Sequence, residues 1–259
     1  MSAGTLFLLP TPLAAGTGLQ VLPAASLAIA HRLDCFLAEN AKSARAFLKD
    51  IGHPRPLQDM RIVEIGHDPQ PRAIDAWLQP VVAGVDTAIV SEAGCPGVAD
   101  PGASIVARAH ARGLRVQPLV GPSSILLALM ASGLDGQAFR FVGYLPQDAG
   151  ALAACLRDLE RQSRRGETQL WIETPYRNDR MLAAVLATCA PDTRLTVATD
   201  LTAADAWIRT RPISDWRSLP TAERPQLHRH PSVFALLAAA RRRERRAEMR
   251  RHSPGLAST

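Results

Sequence analysis

The feature that most constrains the fold of this chain is a repeated alternation of short apolar runs with longer amphipathic segments. The short runs are rich in Leu, Ile, Val and Thr, which is typical of strands; they cover residues 5–9, 33–38, 61–65, 87–91 and 115–119. Three segments between them are predicted to be helices that end at Gly52, Gly84 and Gly113. Strands that alternate with helices predict a mostly parallel sheet with helices on both faces.

The pattern changes after Gly121 and Pro122. Helical segments continue, but apolar segments come closer together, including TQLWIETP, RLTVATDL, WIRTRP, ISDW and SVFALLAA, and we interpret these as strands. Close spacing favours a mixed or partly antiparallel sheet. The sequence therefore predicts an α/β protein with an N-terminal domain of residues 1–119, a C-terminal domain of residues 120–240 and a basic tail of residues 241–259.

The net charge of +6 comes mostly from that tail. Residues 241–251 hold seven Arg and two Glu, which gives +5 and leaves the rest of the chain nearly neutral. Such a tail can attract RNA by neutralising phosphates, or it can be a solvated terminal helix without a ligand. The charge alone does not decide between these interpretations.

Several classes of protein are disfavoured by what the sequence lacks. Its apolar runs are shorter than the roughly 18 residues that a membrane span requires, and the N-terminal LFLLPTPLAA has no preceding Lys or Arg. We therefore expect a cytoplasmic protein. The four cysteines form no CxxC pair and the histidines form no HExxH motif, so neither a disulfide framework nor a metal site is expected.

One loop carries the strongest functional signal. The stretch SEAGCPGVADPG, residues 91–102, follows a predicted strand at the position where open α/β sheets bind ligands. Gly94, Gly97 and Gly102 permit close approach, while the prolines restrict the backbone, so we expect a stiff wall of main-chain groups. Asp100 is expected to cap the following helix. No GxxxxGK[ST], GxGxxG or GxSxG motif occurs, which disfavours nucleotide hydrolases, dinucleotide enzymes and serine hydrolases.

Several motifs in order resemble the tetrapyrrole methylase superfamily. They are GTLFLLPTPL, AENAKSARAFL, IVSEAGCPGVADPG, VGPSSILLALMASGL, FVGYLP, WIETPYR and ATDLT, and together they extend over about residues 4–240. The likeness is greatest to the branch that methylates the ribose 2′-oxygen of a cytidine in small-subunit ribosomal RNA. The resemblance implies a two-domain α/β fold, S-adenosylmethionine bound in a cleft between the domains, and a homodimer.

By position, the resemblance also implies which residues contact the cofactor. These are Leu13, Ala93, Gly94, Cys95, Val98, Ser123, Ser124, Glu173 and Leu201. Relatives often carry Asp or Thr at the position of Cys95, so that residue is expected to line the site and not to act as a nucleophile. No catalytic residue is assigned. The polar candidates are Glu39, Lys42, Glu92, Glu173, Tyr176 and Arg177, each equally well explained as a cap, a surface pair or a supporting residue.

Some motifs of the ribosomal RNA branch are altered. Where that branch has PIGN, AEDTR and ELTK, this chain has PLAA, AENAK and DLTA, which removes hydrogen-bonding groups and cations expected on the acceptor side. Three hypotheses follow: a methyltransferase for the ribose of ribosomal RNA or the small ribosomal subunit, a methyltransferase for a tetrapyrrole or another small molecule, and a non-catalytic paralogue that binds cofactor or RNA. The absence of a GPGD-type first loop counts against the second.

Overall fold

A computed structural model describes residues 2–239. The chain divides into two compact units, one formed by Met1–Ser124 with Thr202–Asp205 and the other by Ile125–Leu201 with Ala206–Thr259. The basic tail predicted for residues 241–259 lies outside the described residues. None of the helices within residues 2–239 has both the length and the apolar character needed to cross a bilayer.

The first unit is a parallel five-stranded sheet covered by helices. Its elements are β1 (Thr5–Leu8), α1 (Gly18–Val21), α2 (Ala24–Ala30), β2 (Cys35–Ala38), α3 (Ala41–Asp50), β3 (Arg61–Glu64), α4 (Pro71–Trp77), α5 (Gln79–Val82), β4 (Thr87–Val90), α6 (Ala103–Ala111) and β5 (Arg115–Pro118). The strand order is β3-β2-β4-β1-β5, and every neighbouring pair is parallel. All five predicted strands are therefore present.

Both faces of this sheet are buried, because alternate residues of each strand pack into different cores. On one face Phe7 and Phe36 pack with Phe47 of α3, and on the other Leu37 and Ile89 pack with residues of α4 and α6. Continuous burial on both faces is what a parallel sheet with helices on both sides requires. The two-sided arrangement leaves the strand ends and their loops as the exposed part of the sheet.

The second unit contains a mixed sheet of five strands. Its elements are α7 (Ser124–Ser132), which begins at the last residue of the first unit, β6 (Phe139–Tyr144), α8 (Ala149–Ser163), β7 (Thr168–Glu173), α9 (Asn178–Thr188), β8 (Arg194–Thr199), β9 (Trp207–Pro212), α10 (Ile213–Ser218) and β10 (Ser232–Leu237). The order is β6-β7-β10-β8-β9, in which β6 and β7 are parallel and the other neighbours are antiparallel. The expected α/β class, with a parallel sheet followed by a mixed one, is confirmed.

Two details of the predicted secondary structure are wrong. The single helix expected before Gly84 is two helices, α4 and α5, because Pro80 lacks the amide hydrogen that a continuous helix would use. ISDW is not a strand but the start of α10, where Ile213 and Trp216 are both buried. Their spacing of three residues is a helical period, and it was the signal that the strand interpretation missed.

Candidate functional site

The exposed carboxyl edge of the first sheet is where its loops gather. The connection that leaves β1 runs to β2 on one side, while the connection that leaves the adjacent strand β4 runs to β5 on the other side. A reversal of this kind opens a crevice at the strand ends, which is the usual ligand position in open α/β sheets. We refer to residues 9–17, 91–102 and 119–123 as the β1, β4 and β5 loops.

A pair of main-chain hydrogen bonds joins the β1 loop to the β4 loop. The amide of Thr11 donates to the carbonyl of Gly94 at 2.9 Å, and the amide of Gly94 donates to the carbonyl of Thr11 at 3.1 Å. The Thr11 hydroxyl also donates to the Ser91 carbonyl at 3.3 Å. These bonds fix the two loops against each other without any charged side chain.

Gly94 allows a close approach of all three loops. Its φ of +82° favours glycine, and a Cβ added there would lie 3.3 Å from Leu13 Cδ2 and 3.8 Å from the Pro122 carbonyl oxygen. The neighbouring Cys95 thiol donates to that same Pro122 oxygen at 3.4 Å. The structure thus brings together three of the predicted cofactor residues, Leu13, Gly94 and Cys95, and places them beside the residue that precedes Ser123.

The remainder of the β4 loop is a chain of tight turns. Gly97 and Gly102 have φ of +79° and +136°, and a Cβ on Gly102 would lie 3.3 Å from the Gly97 nitrogen. Ala99 has φ of +62°, a conformation that costs energy for a residue with a side chain. The amide of Gly97 donates to Pro101, and the amide of Val98 donates to Cys95, both at 3.2 Å. The stiffness expected from the sequence is therefore visible in the backbone.

The other predicted residues of the first unit lie on the accessible side of these loops. Ala93 is exposed, and the Val98 residue is 48% exposed, which is unusual for an apolar side chain on a stiff loop. Ser123 and Ser124 are half-buried at the end of the β5 loop and the start of α7. Their contact with the cofactor stays a prediction.

Acidic side chains lie at the same edge, after β2 and β4. Glu39 is buried; one of its carboxylate oxygens accepts from the Glu92 amide at 3.0 Å, and the other lies 2.6 Å from His67 Nδ1. Burial, reinforced by the charge of Glu39, raises the pKa of Asp100 to about 6. Within residues 2–239, no group of three or more His, Cys, Asp or Glu side chains is arranged to hold a metal ion.

Two expectations about single residues in the β4 loop have different outcomes. Asp100 does not cap α6, because the residue at the cap position is Gly102 and no side chain caps that helix. Asp100 instead lies half-buried close to Ser91. Burial and the nearby Asp100 raise the pKa of the Cys95 thiol, which keeps it protonated and a poor nucleophile.

The second unit has an edge of its own, where β7 and β8 end and β10 begins. Glu173 and Thr199 both pair in register with Ser232 of β10, so the predicted residues Glu173 and Leu201 lie near the same edge of that sheet. Leu201 is buried. The Glu173 carboxylate is 1% exposed, lies 2.8 Å from Arg177 Nη2 and accepts from the Thr174 amide at 2.7 Å. Whether Glu173 and Leu201 contact the cofactor stays a prediction.

A side-chain network at this second edge was not predicted from the sequence. The buried Asn178 side chain donates through Nδ2 to the carbonyls of Leu227 and His230, at 3.4 and 2.7 Å, and to the Ser232 hydroxyl at 3.1 Å. We call this set of contacts the Asn178 clamp. Asp200 pairs with His230 Nδ1 at 2.6 Å. The one feature of the sequence that could have indicated this network is an Asn directly after WIETPYR.

Comparison with known proteins identifies the family. No family model matches the chain. Ribosomal RNA small subunit methyltransferase I of Pseudomonas aeruginosa is 29% identical over 220 residues, which are 83% of this chain and 74% of that protein. The protein of the same name from Streptococcus pyogenes serotype M6 is 31% identical over 201 residues, 78% of this chain and 66% of that protein. The crystal structure of the methyltransferase CobJ matches with a TM-score of 0.60 at 16% identity and covers 92% of this chain and 95% of its own.

These findings confirm the resemblance to the tetrapyrrole methylase superfamily. The expectation of a methyltransferase that uses S-adenosylmethionine is likewise confirmed. In the structure, the β1, β4 and β5 loops offer main-chain groups and approach one another closely at Gly94, and these residues fit a cofactor held largely through the backbone.

Proposed function

We propose that this chain binds S-adenosylmethionine against the β1, β4 and β5 loops and transfers its methyl group to RNA, at a ribose 2′-oxygen of ribosomal RNA. The observation that carries the cofactor part is the close approach at Gly94, where a bare Cα faces Leu13 and Pro122. A Cβ there would lie only 3.3 Å from Leu13 Cδ2, so a side chain at this position would force the loops apart. The RNA part is supported by the curated relatives, which are named ribosomal RNA methyltransferases.

Methyl transfer places few chemical demands on the protein. When bound, S-adenosylmethionine supplies a methyl group activated by its sulfonium. The protein must hold donor and acceptor in line, and correct orientation alone can account for a large part of such rate enhancements. The hydrogen-bonded pair of Thr11 and Gly94 and the turn hydrogen bonds of Gly97 and Val98 restrict the loop before the ligand arrives. Preorganisation of this kind reduces the entropy lost on binding.

One observation favours a second candidate, a paralogue that binds the cofactor without transferring its methyl group to RNA. Asn40 stands where the ribosomal RNA branch has an acid, and its carboxamide oxygen accepts from the amides of Lys42 and Ser43 as the N-cap of α3. Asn40 thus serves the helix, and it carries no negative charge. The adjacent Lys42 is exposed and lacks the planar fork with which arginine grips phosphate.

Cofactor binding is tested by calorimetric titration of S-adenosylmethionine into the full chain and into Gly94→Trp. We expect the indole to clash with Leu13 and Pro122, to force the loops apart and to weaken binding by at least about 100-fold. Gly113→Trp is the matched control, because Gly113 has a similar φ of +65° and open space around it at the end of α6. Equal affinity of a folded Gly94→Trp variant and the wild type would overturn the assignment of the loop.

The acceptor is tested by transfer of a radiolabelled methyl group to small ribosomal subunits, naked ribosomal RNA and a small-molecule extract. We expect label in RNA, and expect the labelled position to resist alkaline cleavage because a 2′-O-methyl group blocks attack by that oxygen. Label in the small-molecule fraction alone would support a tetrapyrrole or other small acceptor. Tight cofactor binding with no transfer to any acceptor would favour the non-catalytic paralogue.

We also infer that the chain acts as a homodimer in the cytoplasm, where ribosomal RNA is found. The support for the dimer is the family resemblance together with Leu126 and Met130, which are 50% and 79% exposed one turn apart on α7. Light scattering coupled to gel filtration should give twice the chain mass, and Met130→Glu should shift it toward the monomer. A wild-type mass of one chain would contradict this inference.

A further inference from the structure

An exposed aromatic side chain lies at the carboxyl end of β7. Tyr176 occupies the middle of a 3₁₀ turn, Pro175–Arg177, between β7 and α9, and it is 69% exposed. The residues on either side of Tyr176 are held in the fold: Pro175 is half-buried, and Arg177 pairs with the buried carboxylate of Glu173. The turn therefore presents the Tyr176 ring outward from a fixed base.

Two further side chains stand around this ring. The imidazole of His228 meets it edge-on, with ring centroids 5.8 Å apart and an interplanar angle of 71°. The guanidinium carbon of Arg229 lies 6.0 Å from the ring centroid, at the outer limit of a cation–π contact. Both residues are exposed, and within residues 2–239 the Arg229 guanidinium has no carboxylate partner. We call Tyr176, His228 and Arg229 the aromatic platform.

The segment that carries His228 and Arg229 is pinned in place. The amide of Arg229 donates to the Pro175 carbonyl at 3.0 Å, which ties the segment directly to the turn that carries Tyr176. The Asn178 clamp holds the carbonyls on both sides of this pair, those of Leu227 and His230. The three platform residues are therefore positioned by one hydrogen-bonded unit.

Arg229 adopts a backbone conformation that costs energy. Its φ of +68° lies in the left-handed region, which glycine occupies readily and which a residue with a Cβ occupies at a cost. Arg229 is strained and exposed, and its charge, unpaired within residues 2–239, lies beside the exposed Tyr176 ring. This arrangement does not stabilise the fold. Strain of this kind persists where the surrounding structure enforces it and tends to accompany ligand sites.

We propose that the aromatic platform stacks an unpaired base of the RNA acceptor, with Arg229 contacting the adjoining phosphate. Proteins bind single-stranded RNA by stacking bases on aromatic rings and by neutralising phosphates with arginine, and the platform offers both groups side by side. The proposal rests on the proposed function, because it assigns part of the RNA contact surface to named residues. It differs from cofactor binding, to which none of the three residues is assigned.

The test measures binding of a fluorescein-labelled, mixed-sequence single-stranded RNA of about 12 nucleotides, and of the same sequence as a duplex, to the full chain. We expect the wild type to prefer the single strand and Tyr176→Ala to bind it about 10-fold more weakly, in the range that loss of one stacked base produces. Tyr176→Phe keeps the ring and should stay within about twofold of the wild type. Arg229→Gly suits the backbone conformation. It should reduce the steepness with which the logarithm of the RNA binding constant falls with the logarithm of salt concentration by about 0.7, as expected for one lost phosphate contact on a single strand.

Phe139→Ala is the matched control. Phe139 is also an exposed aromatic residue of the second unit, but it lies at the start of β6, opposite the strand end that carries Tyr176. The Phe139→Ala substitution should leave RNA affinity unchanged. All of the variants should keep the wild-type affinity for S-adenosylmethionine. A wild type that methylates RNA while Tyr176→Ala binds the single strand normally would overturn the platform alone. A wild type that binds or methylates no RNA, or binds only a carboxylated porphyrin, would overturn the proposed acceptor together with the platform.

Discussion

The carboxyl edges of the two sheets are stabilised by different chemistry. In the first unit the β1 and β4 loops are joined mainly by main-chain hydrogen bonds, such as the pair between Thr11 and Gly94, and shaped by glycines with positive φ. Buried Glu39 adds side-chain contacts to the Glu92 amide and His67. In the second unit the same kind of edge is held by side chains: the Asn178 clamp, the ion pair of Glu173 with Arg177 and the hydrogen-bonded contact of Asp200 with His230. The first edge is suited to a ligand recognised by the backbone, and the second to display of side chains.

This difference determines which substitutions each unit tolerates. A main-chain contact survives most changes of side chain, provided that the backbone conformation is kept. A buried side-chain network does not, since removal of one partner leaves the other buried and unsatisfied. We therefore expect single substitutions to be more destabilising at the edge of the second unit, and the following experiments compare the two edges.

The largest loss of stability is expected for Arg177→Ala. It would leave the Glu173 carboxylate, which is 1% exposed, without its partner cation, and we expect the free energy of unfolding to fall by about 3 kcal/mol. Urea unfolding followed by tryptophan fluorescence measures this, because Trp171, Trp207 and Trp216 all lie in the second unit. Arg180→Ala, an exposed neighbour on α9, should change stability by less than about 0.5 kcal/mol. Similar values for the two variants would mean that the Glu173 pair does not stabilise this edge.

A smaller effect is expected from a pair of asparagine substitutions, one in each unit. Asn178→Ala removes the donor to two main-chain carbonyls and should cost about 2 kcal/mol. Asn40→Ala removes the N-cap of α3 and should cost about 1 kcal/mol, which is typical for a cap. Chemical denaturation with circular dichroism gives both values. Should Asn40→Ala prove the more costly change, the contrast between the two edges would be reversed.

The smallest effect is a pH dependence in the first unit. Burial raises the pKa of Asp100 from 3.8 to about 6, so the folded state binds this proton more tightly than the unfolded state. Its contribution to stability is complete below pH 3.8 and is lost as pH rises through about 6. Asp100→Asn keeps the neutral form at all pH values and should raise the Tm at pH 8 relative to the wild type, but not below pH 3.8. Asp68→Asn, an exposed carboxylate near the same edge, controls for the loss of charge. An equal shift of Tm at both pH values would show that Asp100 is not responsible.

The first unit could be predicted well from the sequence because its signals are local. Glycine after a helix, apolar runs and the SEAGCPGVADPG stretch each specify a backbone conformation within a few residues. The break before Pro80 was not predicted, because the sequence was interpreted as one helix ending at Gly84. The cap prediction for Asp100 was wrong because a cap and a half-buried carboxylate close to Ser91 have the same sequence signature. Only the path of the loop distinguishes them.

The edge of the second unit was less predictable because its contacts join distant parts of the chain. Asn178 bonds to residues about 50 positions away, and Arg229 is positioned by Pro175 across a similar separation. Strand β10 lies between β7 and β8, although it is the last strand of residues 2–239. The register that aligns Glu173 with Ser232 therefore depends on how the strands assemble and has no local sequence signal. The pairing of Tyr176 with His228 and Arg229 follows from that topology and from no local motif.

The backbone bridge between Thr11 and Gly94 has a consequence for how such proteins diverge. In the proposed site, a wall built from amides and carbonyls carries its specificity in torsion angles, so the surrounding side chains can change while the ligand contacts are kept. The acceptor can then change independently, and two descendants with little sequence in common can still share a reagent while modifying unrelated molecules.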